Sequence, residues 1–177
     1  MYKGQVFFAD MIIAMGIFVV IMLTVASAWD FSREKTYRTE LRNDMEIAAR
    51  IALSALIKTS GNPSDWHKQQ SEWFNETNVK SLGLSKNEPW HISDLKLQKF
   101  EEWEAEKYDA YKKILGLQSY DFYMEFWEFN GTFDDGPDYS VGNTPDSAAE
   151  NVVKLERVAL SDAQDNMWLK IEMGVWK

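Results

Sequence analysis

Residues suited to acid–base or metal chemistry are few in this chain, and they lie apart. There are two histidines, His67 and His91, each next to a tryptophan, and there is no cysteine. A zinc site needs several ligands at characteristic spacing, and neither histidine has such neighbours, so both are interpreted as packing or surface residues. Motifs for a serine nucleophile or a phosphate-binding glycine loop do not occur in the sequence. The sequence therefore predicts no catalytic residue, no metal, no cofactor and no enzymatic activity.

One acidic segment, Asp134-Asp135-Gly136-Pro137-Asp138, carries the kind of oxygen ligands that Ca²⁺ prefers. It does not match the EF-hand loop, and Pro137 interrupts it. Short loops favour Asp, Gly and Pro, so an acidic turn is the simpler interpretation. The eight tryptophans are compatible with a sugar-binding platform or a subunit interface, although core and interface packing explain most of them more simply.

A single carboxylate, Asp10, lies near the start of a long apolar stretch, Val6 to Trp29. No charged residue occurs between Met11 and Ala28. A helix of about 20 apolar residues spans the hydrocarbon core of a bilayer, and an acid inside such a helix is by default a functional hypothesis. We expect a membrane-spanning helix with Asp10 in its first turn.

An alternative is a cleaved secretory signal. Ala26-Ser27-Ala28 suits signal peptidase, but Trp29-Asp30-Phe31 follows it, and the apolar stretch exceeds the usual length of about 7–15 residues.

Charge is unevenly distributed between the two parts of the chain. Residues 1–58 contain 7 Lys and Arg against 6 Asp and Glu, whereas residues 59–177 contain 12 against 22 and carry a charge of −10, for a net charge of −9. An acidic head argues against nucleic-acid binding, which requires a basic surface. Two sequons, at Asn75 and Asn130, would be possible glycosylation sites if the head is outside the cell.

The helix is expected to continue beyond the apolar stretch, because no Gly or Pro occurs between Ile17 and Lys58. Apolar residues recur there at helical spacing, namely Tyr37, Leu41, Met45, Ala48, Ala49, Ala52, Leu53, Leu56 and Ile57. A single helix and two separate helices are both compatible with this pattern. The segment Thr59–Pro63 contains a Gly and a Pro that end the helix.

The rest of the chain predicts an α+β head. Residues 64–92 read as irregular, with a short strand near Asn78–Leu82, and Ser93 offers the N-cap of a helix that ends at Gly116. Alternating apolar residues predict three strands, and a loop and a short hairpin connect them: Tyr120–Trp127, loop Asn130–Ala149, Val152–Leu160, hairpin Ser161–Asn166 and Met167–Trp176. The expected fold is a long N-terminal helix, half membrane and half amphipathic, packed on a small antiparallel sheet with one or two extra helices.

Lys3-Gly4-Gln5, the apolar helix with an early acid, the amphipathic continuation and the β-rich head together resemble archaeal type IV pilin-like precursors with a class III signal sequence. The resemblance covers residues 3–29 well and the architecture loosely. It implies a leader (residues 1–5), an assembly helix (6–29), its amphipathic continuation (30–58) and an extracytoplasmic head (59–177). It also implies that a prepilin peptidase cuts the chain between Gly4 and Gln5.

In that family the exposed helices bundle into a filament core or anchor the protein in the membrane. Asp10 would then neutralise the new amino terminus of a neighbouring subunit, and the small residues Ala14 and Gly16 would permit close helix approach. Family members carry Glu as the fifth mature residue. Cleavage after Gly4 makes Asp10 the sixth residue, whereas cleavage after Gln5 makes it the fifth. Asp in place of Glu and the bulky head favour a minor or accessory pilin.

Two indications of orientation disagree. Lys/Arg counts on either side of the apolar stretch predict the head inside, whereas the resemblance implies the head outside, at the cell surface. The expected partners are the lipid bilayer, other pilin-like subunits and a prepilin peptidase. The alternatives are a single-pass anchored binding domain that does not polymerise and, with no catalytic motif in its favour, a membrane-tethered enzyme.

Overall fold

The computed structural model of the chain describes residues 3–86, 88–129, 136–146, 149, 151–162 and 167–177, with side chains described from residue 10 onward. Within these residues the fold is α+β, as predicted: a long N-terminal helix, two short helices and a five-stranded sheet. The chain divides into two compact units, Met1–Leu41 and Arg42–Lys177.

The first helix, α1, runs from Lys3 to Lys58 as one continuous element of 56 residues. The single-helix alternative is therefore confirmed. Because α1 begins at Lys3, its first turn contains no acid, and Asp10 lies about two turns further on. The placement of Asp10 in the first turn was wrong. After Lys58 the chain turns through Gly61, whose φ of 84° lies in the left-handed region that glycine adopts without steric cost.

Within the second unit, the last turns of α1 bury one apolar stripe. Its buried members are each at most 1 % exposed, namely Met45, Ala49, Ala52, Leu53, Leu56 and Ile57. Tyr37, predicted to belong to the same stripe, is 63 % exposed and belongs to the first unit. The helical period continues through residue 37, but the buried part of the stripe begins at Met45, within the second unit.

The segment after α1 contains two short 3₁₀ helices, Trp66–Lys68 and Ser71–Trp73. The predicted strand near Asn78–Leu82 was wrong: the described backbone forms only an isolated bridge there, between Ser81 and Asn62. Just before it, the Asn75 carboxamide oxygen accepts hydrogen bonds from two following backbone N–H groups. Such side-chain bonds favour a turn over a strand ladder.

Two helices, α2 (Asp94–Glu102) and α3 (Glu104–Ile114), occupy the segment predicted to be one helix. The break is at Trp103, whose backbone has φ −92° and ψ 0° and whose side chain is 5 % exposed. Its ring lies 5.7 Å from that of Phe74. The break therefore coincides with a buried indole that packs against the segment between α1 and α2.

The sheet has the order β1-β4-β5-β2-β3, with bounds His91–Ile92 (β1), Asp121–Phe129 (β2), Tyr139–Gly142 (β3), Val152–Ser161 (β4) and Trp168–Trp176 (β5). The three predicted strands are confirmed as β2, β4 and β5, and β4 and β5 pair in antiparallel register as predicted. Two strands were missed. β3 lies inside the predicted loop, and β1 lies in the segment read as irregular. Because β1 runs parallel to β4, the sheet is mixed rather than wholly antiparallel.

One face of the sheet belongs to the core. Its in-register residues are fully or almost fully buried, namely Phe122, Met124, Phe126, Val153, Leu155, Leu169, Ile171, Met173 and Val175. An aromatic cluster completes the core, with ring centroids 4.7–5.9 Å apart, made of Trp66, Phe74, Phe100, Trp103 and Tyr111. This packed head holds β4 and β5 in a fixed register.

Candidate membrane and assembly segment

The N-terminal part of α1 exposes its apolar side chains all round. The large ones between residues 11 and 25 are 49–66 % exposed, namely Met11, Ile12, Ile13, Met15, Ile17, Phe18, Val19, Val20, Ile21, Met22, Leu23 and Val25. Within the part of the chain that the structure describes, this is one helix long and apolar enough, by length and composition, to cross a membrane. An exposed apolar surface of this size is unfavourable in water.

Asp10 is exposed on this apolar helix. Ala14 follows it by four residues and therefore lies on the same helix face. Gly16 follows by six residues, a rotation of about 240° at about 100° per residue, and lies on a different face. A Cβ atom added to Gly16 would meet no atom within 4 Å. The helix thus brings Asp10 and Ala14 together but does not bring Gly16 to them.

The processing residues Lys3, Gly4 and Gln5 form the beginning of α1, and their side chains lie outside the described part of the structure. Their predicted role as a cleavage site stays a prediction.

Where α1 leaves its uncharged stretch, large aromatic side chains are exposed. Trp29, Phe31 and Tyr37 are 63–71 % exposed, and Trp29 and Tyr37 line one shallow groove together with Arg33. Amphipathic aromatic rings and basic groups are the residues enriched at membrane–water interfaces. The change from apolar to charged sequence thus coincides with side chains that suit the headgroup region.

The head carries a second exposed apolar patch. Ile47 and Ile51, one helical turn apart on α1, are 57 % and 63 % exposed. They line a groove of about 290 Å³ with Ala48, Leu115 and Gly116. This patch is opposite the buried stripe of the same helix turns, because Met45 and Ala49 point to the core.

Of the two sequon asparagines, the structure describes Asn75. Asn75 is exposed, and its carboxamide oxygen accepts from the N–H groups of Thr77 and Asn78 at 2.9 and 3.1 Å. A surface position is what a glycosylation acceptor requires. Asn130 lies outside the described residues.

The histidines do not form a site. Among the described residues, no three His, Cys, Asp or Glu side chains are grouped as metal ligands would be. His67 is half-buried, and burial together with nearby Lys96 lowers its pKa. His91 is partly exposed, with its Nε2 4.0 Å from Glu88 Oε2.

Of the predicted acidic turn, Asp134 and Asp135 lie outside the described residues. Asp138 is described, and its carboxylate accepts a hydrogen bond from the Glu128 N–H at 2.6 Å. Burial, followed by nearby Asp138 and Asp94, raises the pKa of Glu128. The Asp138 carboxylate therefore has a structural role, because its hydrogen bond with the Glu128 N–H fixes the end of β2.

A cleft of about 450 Å³ at the end of the sheet is lined in part by Tyr108, Asp121, Asp146 and Trp176. The Tyr108 hydroxyl in this cleft is hydrogen-bonded to the backbone of Phe122. Its Oη donates to the Phe122 carbonyl at 3.0 Å and accepts from the Phe122 N–H at 2.9 Å. Burial raises the pKa of Tyr108 to about 12. A phenol so placed positions the start of β2 and is a poor general base near neutral pH.

Core packing explains two of the eight tryptophans, and interface packing of the others stays a prediction. Trp66 and Trp103 are buried, whereas Trp29, Trp90 and Trp168 are 38–65 % exposed. The remaining three are half-buried, namely Trp73, Trp127 and Trp176. Both buried tryptophans lie outside the strands, Trp66 in a 3₁₀ helix and Trp103 between α2 and α3, where no two-residue period predicts burial.

No protein-family model, no curated protein and no solved structure gives a significant match to this chain.

Proposed function

We propose that this chain is a structural, pilin-like subunit of archaeal type, anchored in the membrane as a precursor. A prepilin peptidase removes its leader after Gly4 or Gln5. The mature protein then assembles with other pilin-like subunits through its N-terminal helix into a type IV pilus-like surface structure, as a minor or accessory pilin.

The observation that carries the proposal is the exposed apolar part of α1 with a single carboxylate on it. Apolar side chains cover every face of this helix from residue 11 to residue 25. Lipid satisfies such a surface in the precursor, and neighbouring helices satisfy it after assembly. Asp10 has a role in this scheme, because a new amino terminus buried in an apolar bundle requires an opposite charge.

A second exposed apolar patch supports assembly rather than anchoring alone. Ile47 and Ile51 belong to the head, beyond the charged residues that end the apolar stretch. A membrane anchor by itself gives no reason for two exposed isoleucines one turn apart at this position. Subunit packing along α1 would bury both isoleucines, and the burial of each side chain would stabilise the assembly by about 1.5–3 kcal/mol.

The proposal places the head outside the cell, against the Lys/Arg count. Asn75 offers a direct test of that orientation, since glycosylation machinery acts only on the outer side. Glycan at the exposed Asn75, lost in Asn75→Gln but kept in Asn78→Gln, would support an external head.

The experiment that tests the proposal is intact-mass measurement of the membrane-extracted protein, made with and without a prepilin peptidase. The expected result is a peptidase-dependent mass loss equal to the residues MYKG or MYKGQ. Gly4→Leu should block this loss, whereas Tyr2→Phe, within the leader but remote from the bond, should not. Surface-isolated protein that retains Met1 to Gln5 would contradict the proposal.

One observation favours a different function, that of an anchored domain that binds a ligand and does not polymerise. The outer face of the sheet exposes Trp168 (57 %) and Phe129 (38 %), which are in register with each other, and Val158 (53 %), which is in register with Lys170. Aromatic rings on a flat strand surface suit contact with a partner. The two functions differ in whether Asp10 is required for assembly.

A further inference from the structure

The edge of β4 is open along most of its length. On one side β4 pairs with β5 from Val152 to Leu160. On the other side, within the described residues, it pairs only with β1, through Leu160 and Ser161. No described strand pairs with this edge between residues 152 and 158, and an edge with free backbone groups favours pairing with another strand.

Hydrogen bonds at the end of β4 show which residues face the open edge. The Leu160 N–H donates to Trp90 at 2.7 Å, on the β1 side, and the Ser161 N–H donates to Met167 at 2.8 Å, on the β5 side. Since backbone groups alternate along a strand, the even-numbered residues face the open edge. The same alternation places their side chains on the outer face of the sheet, away from the core residues Val153 and Leu155.

The side chains along this edge read Val152, Lys154, Glu156, Val158. In an antiparallel pair of two β4 strands centred on Leu155, Val152 lies opposite Val158 of the second copy, and Lys154 lies opposite Glu156. The dimer then contains two pairs of Lys154 opposite Glu156, and a pair of valines lies at each end. A shift of two residues in either direction would place Lys154 opposite itself or Glu156 opposite itself, and like charges opposite each other are destabilising.

We propose that two copies of this chain associate through β4, in antiparallel register, with Leu155 on the two-fold axis. The even-numbered residues supply the hydrogen-bonded pairs, and the two five-stranded sheets become one continuous sheet. The partner is a second copy because the edge is complementary in charge to itself in one register. The proposal goes beyond a subunit role and does not depend on assembly through α1.

Contacts already made by these side chains are compatible with this pairing. Lys154 Nζ lies 2.9 Å from Glu172 Oε1, and Glu156 Oε1 lies 3.6 Å from Lys170 Nζ, yet the Lys154 and Glu156 side chains are 59 % and 64 % exposed. They have room for a further opposite charge. One edge carbonyl, that of Glu156, accepts from Arg157 Nη1 at 2.8 Å, a contact that is exposed and inexpensive to exchange for a backbone donor.

Two charge-reversed variants test the pairing. Lys154→Glu places two carboxylates opposite each other twice in the dimer, and Glu156→Lys does the same with ammonium groups. Each variant alone should dimerise roughly tenfold or more weakly than the natural chain. An equimolar mixture of the two should recover dimerisation, because every carboxylate of one variant then faces an ammonium group of the other.

A cysteine pair reports the register. The chain contains no cysteine, so an introduced thiol is unique. Leu155→Cys places two thiols on the axis in a non-hydrogen-bonded pair, with Cα atoms about 4.5 Å apart, a separation that a disulfide bridges. Val158→Cys is the matched control on the same strand, since its two copies would lie about 20 Å apart.

The measurement is the cross-linked fraction of the full-length chain in detergent micelles under mild oxidation. Leu155→Cys should cross-link and Val158→Cys should not. In the Leu155→Cys background, either charge reversal alone should lower the cross-linked fraction, and mixing the two should restore it as the hetero-dimer, identified by mass. Association through α1 alone would not respond to the sign of the charges at positions 154 and 156. Equal cross-linking in all backgrounds, or none from Leu155→Cys, would overturn the proposal.

Discussion

Lys96 is the charged residue most deeply buried in the described part of the head, at 3 % exposed. Its ammonium group donates to the carbonyls of Ser60 at 2.7 Å and Ser85 at 2.8 Å. These two carbonyls belong to the turn after α1 and to the segment before β1, so one side chain holds two irregular segments together. Burial lowers the pKa of Lys96 to about 8, with Asp65 opposing the shift.

A pH dependence of stability follows from this burial. Between about pH 8 and pH 10.5 the unfolded chain keeps the proton on Lys96 while the folded chain has lost it. Stability must then rise with pH across this window. We expect the free energy of unfolding of the natural chain, measured by denaturant titration in detergent, to rise relative to that of Lys96→Met from pH 8 to 10.5. The difference should be constant below pH 7, and a flat difference throughout would contradict the assignment.

The burial of Lys96 could not be predicted from the sequence. Lys96 lies in a helix between Leu95 and Leu97, and a lysine is almost never fully buried unless it is paired. Its burial depends on Ser60 and Ser85, which approach from segments with no regular pattern. Met45, Ala49 and Leu53 were predicted correctly because their burial follows from a local period of 3.6 residues.

Among the elements, α2 shows how a cap position can be predicted while the capping group is missed. Ser93 is the N-cap residue, but its side chain makes no capping hydrogen bond. Instead the Asp162 carboxylate, which follows β4, accepts from the Asp94 N–H at 2.7 Å. A carboxylate at a helix N-terminus also interacts favourably with the helix dipole.

Asp162→Ala should therefore destabilise the head by about 1 kcal/mol, the usual cost of losing an N-cap. Ser93→Ala, at the N-cap position itself, should cost distinctly less. Thermal or denaturant unfolding of the two variants decides between them. A larger loss in Ser93→Ala would show that the serine is the true cap.

The missed elements share one physical cause. β3 and β1 have 4 and 2 residues, too few for a two-residue period to be visible. Pairing with longer strands specifies both of them, β3 with β2 and β1 with β4. The longer strands β2, β4 and β5 carry their own alternation of buried and exposed residues, and for that reason the sequence alone predicted them.

For the whole molecule, the division into two units separates two kinds of surface. The first unit is a largely apolar helix with exposed side chains, and the second is a packed head that carries the whole net charge of −9. The unbroken period was compatible with the single long helix α1, but it did not exclude two separate helices. The sequence does not predict whether α1 anchors the protein in lipid or packs against neighbouring helices, because both environments bury the same apolar side chains.

Asp10 distinguishes these two uses. A lone membrane anchor gains nothing from a carboxylate in its apolar stretch, which costs a few kcal/mol at the bilayer centre and less near its edge. Asp10→Ala should then insert at least as well as the natural chain. In an assembling subunit the same carboxylate neutralises a neighbouring amino terminus, so its removal should abolish incorporation into filaments while leaving membrane insertion intact.

The measurement is the ratio of filament-associated to membrane-associated protein after shearing, with each fraction quantified by mass spectrometry. Asp10→Ala should lower that ratio at least about tenfold, and Asp10→Glu, which keeps the charge, should retain most of it. If Asp10→Ala assembled as well as the natural chain, the charge would have no part in assembly, and the anchored binding domain would become the better account of this protein.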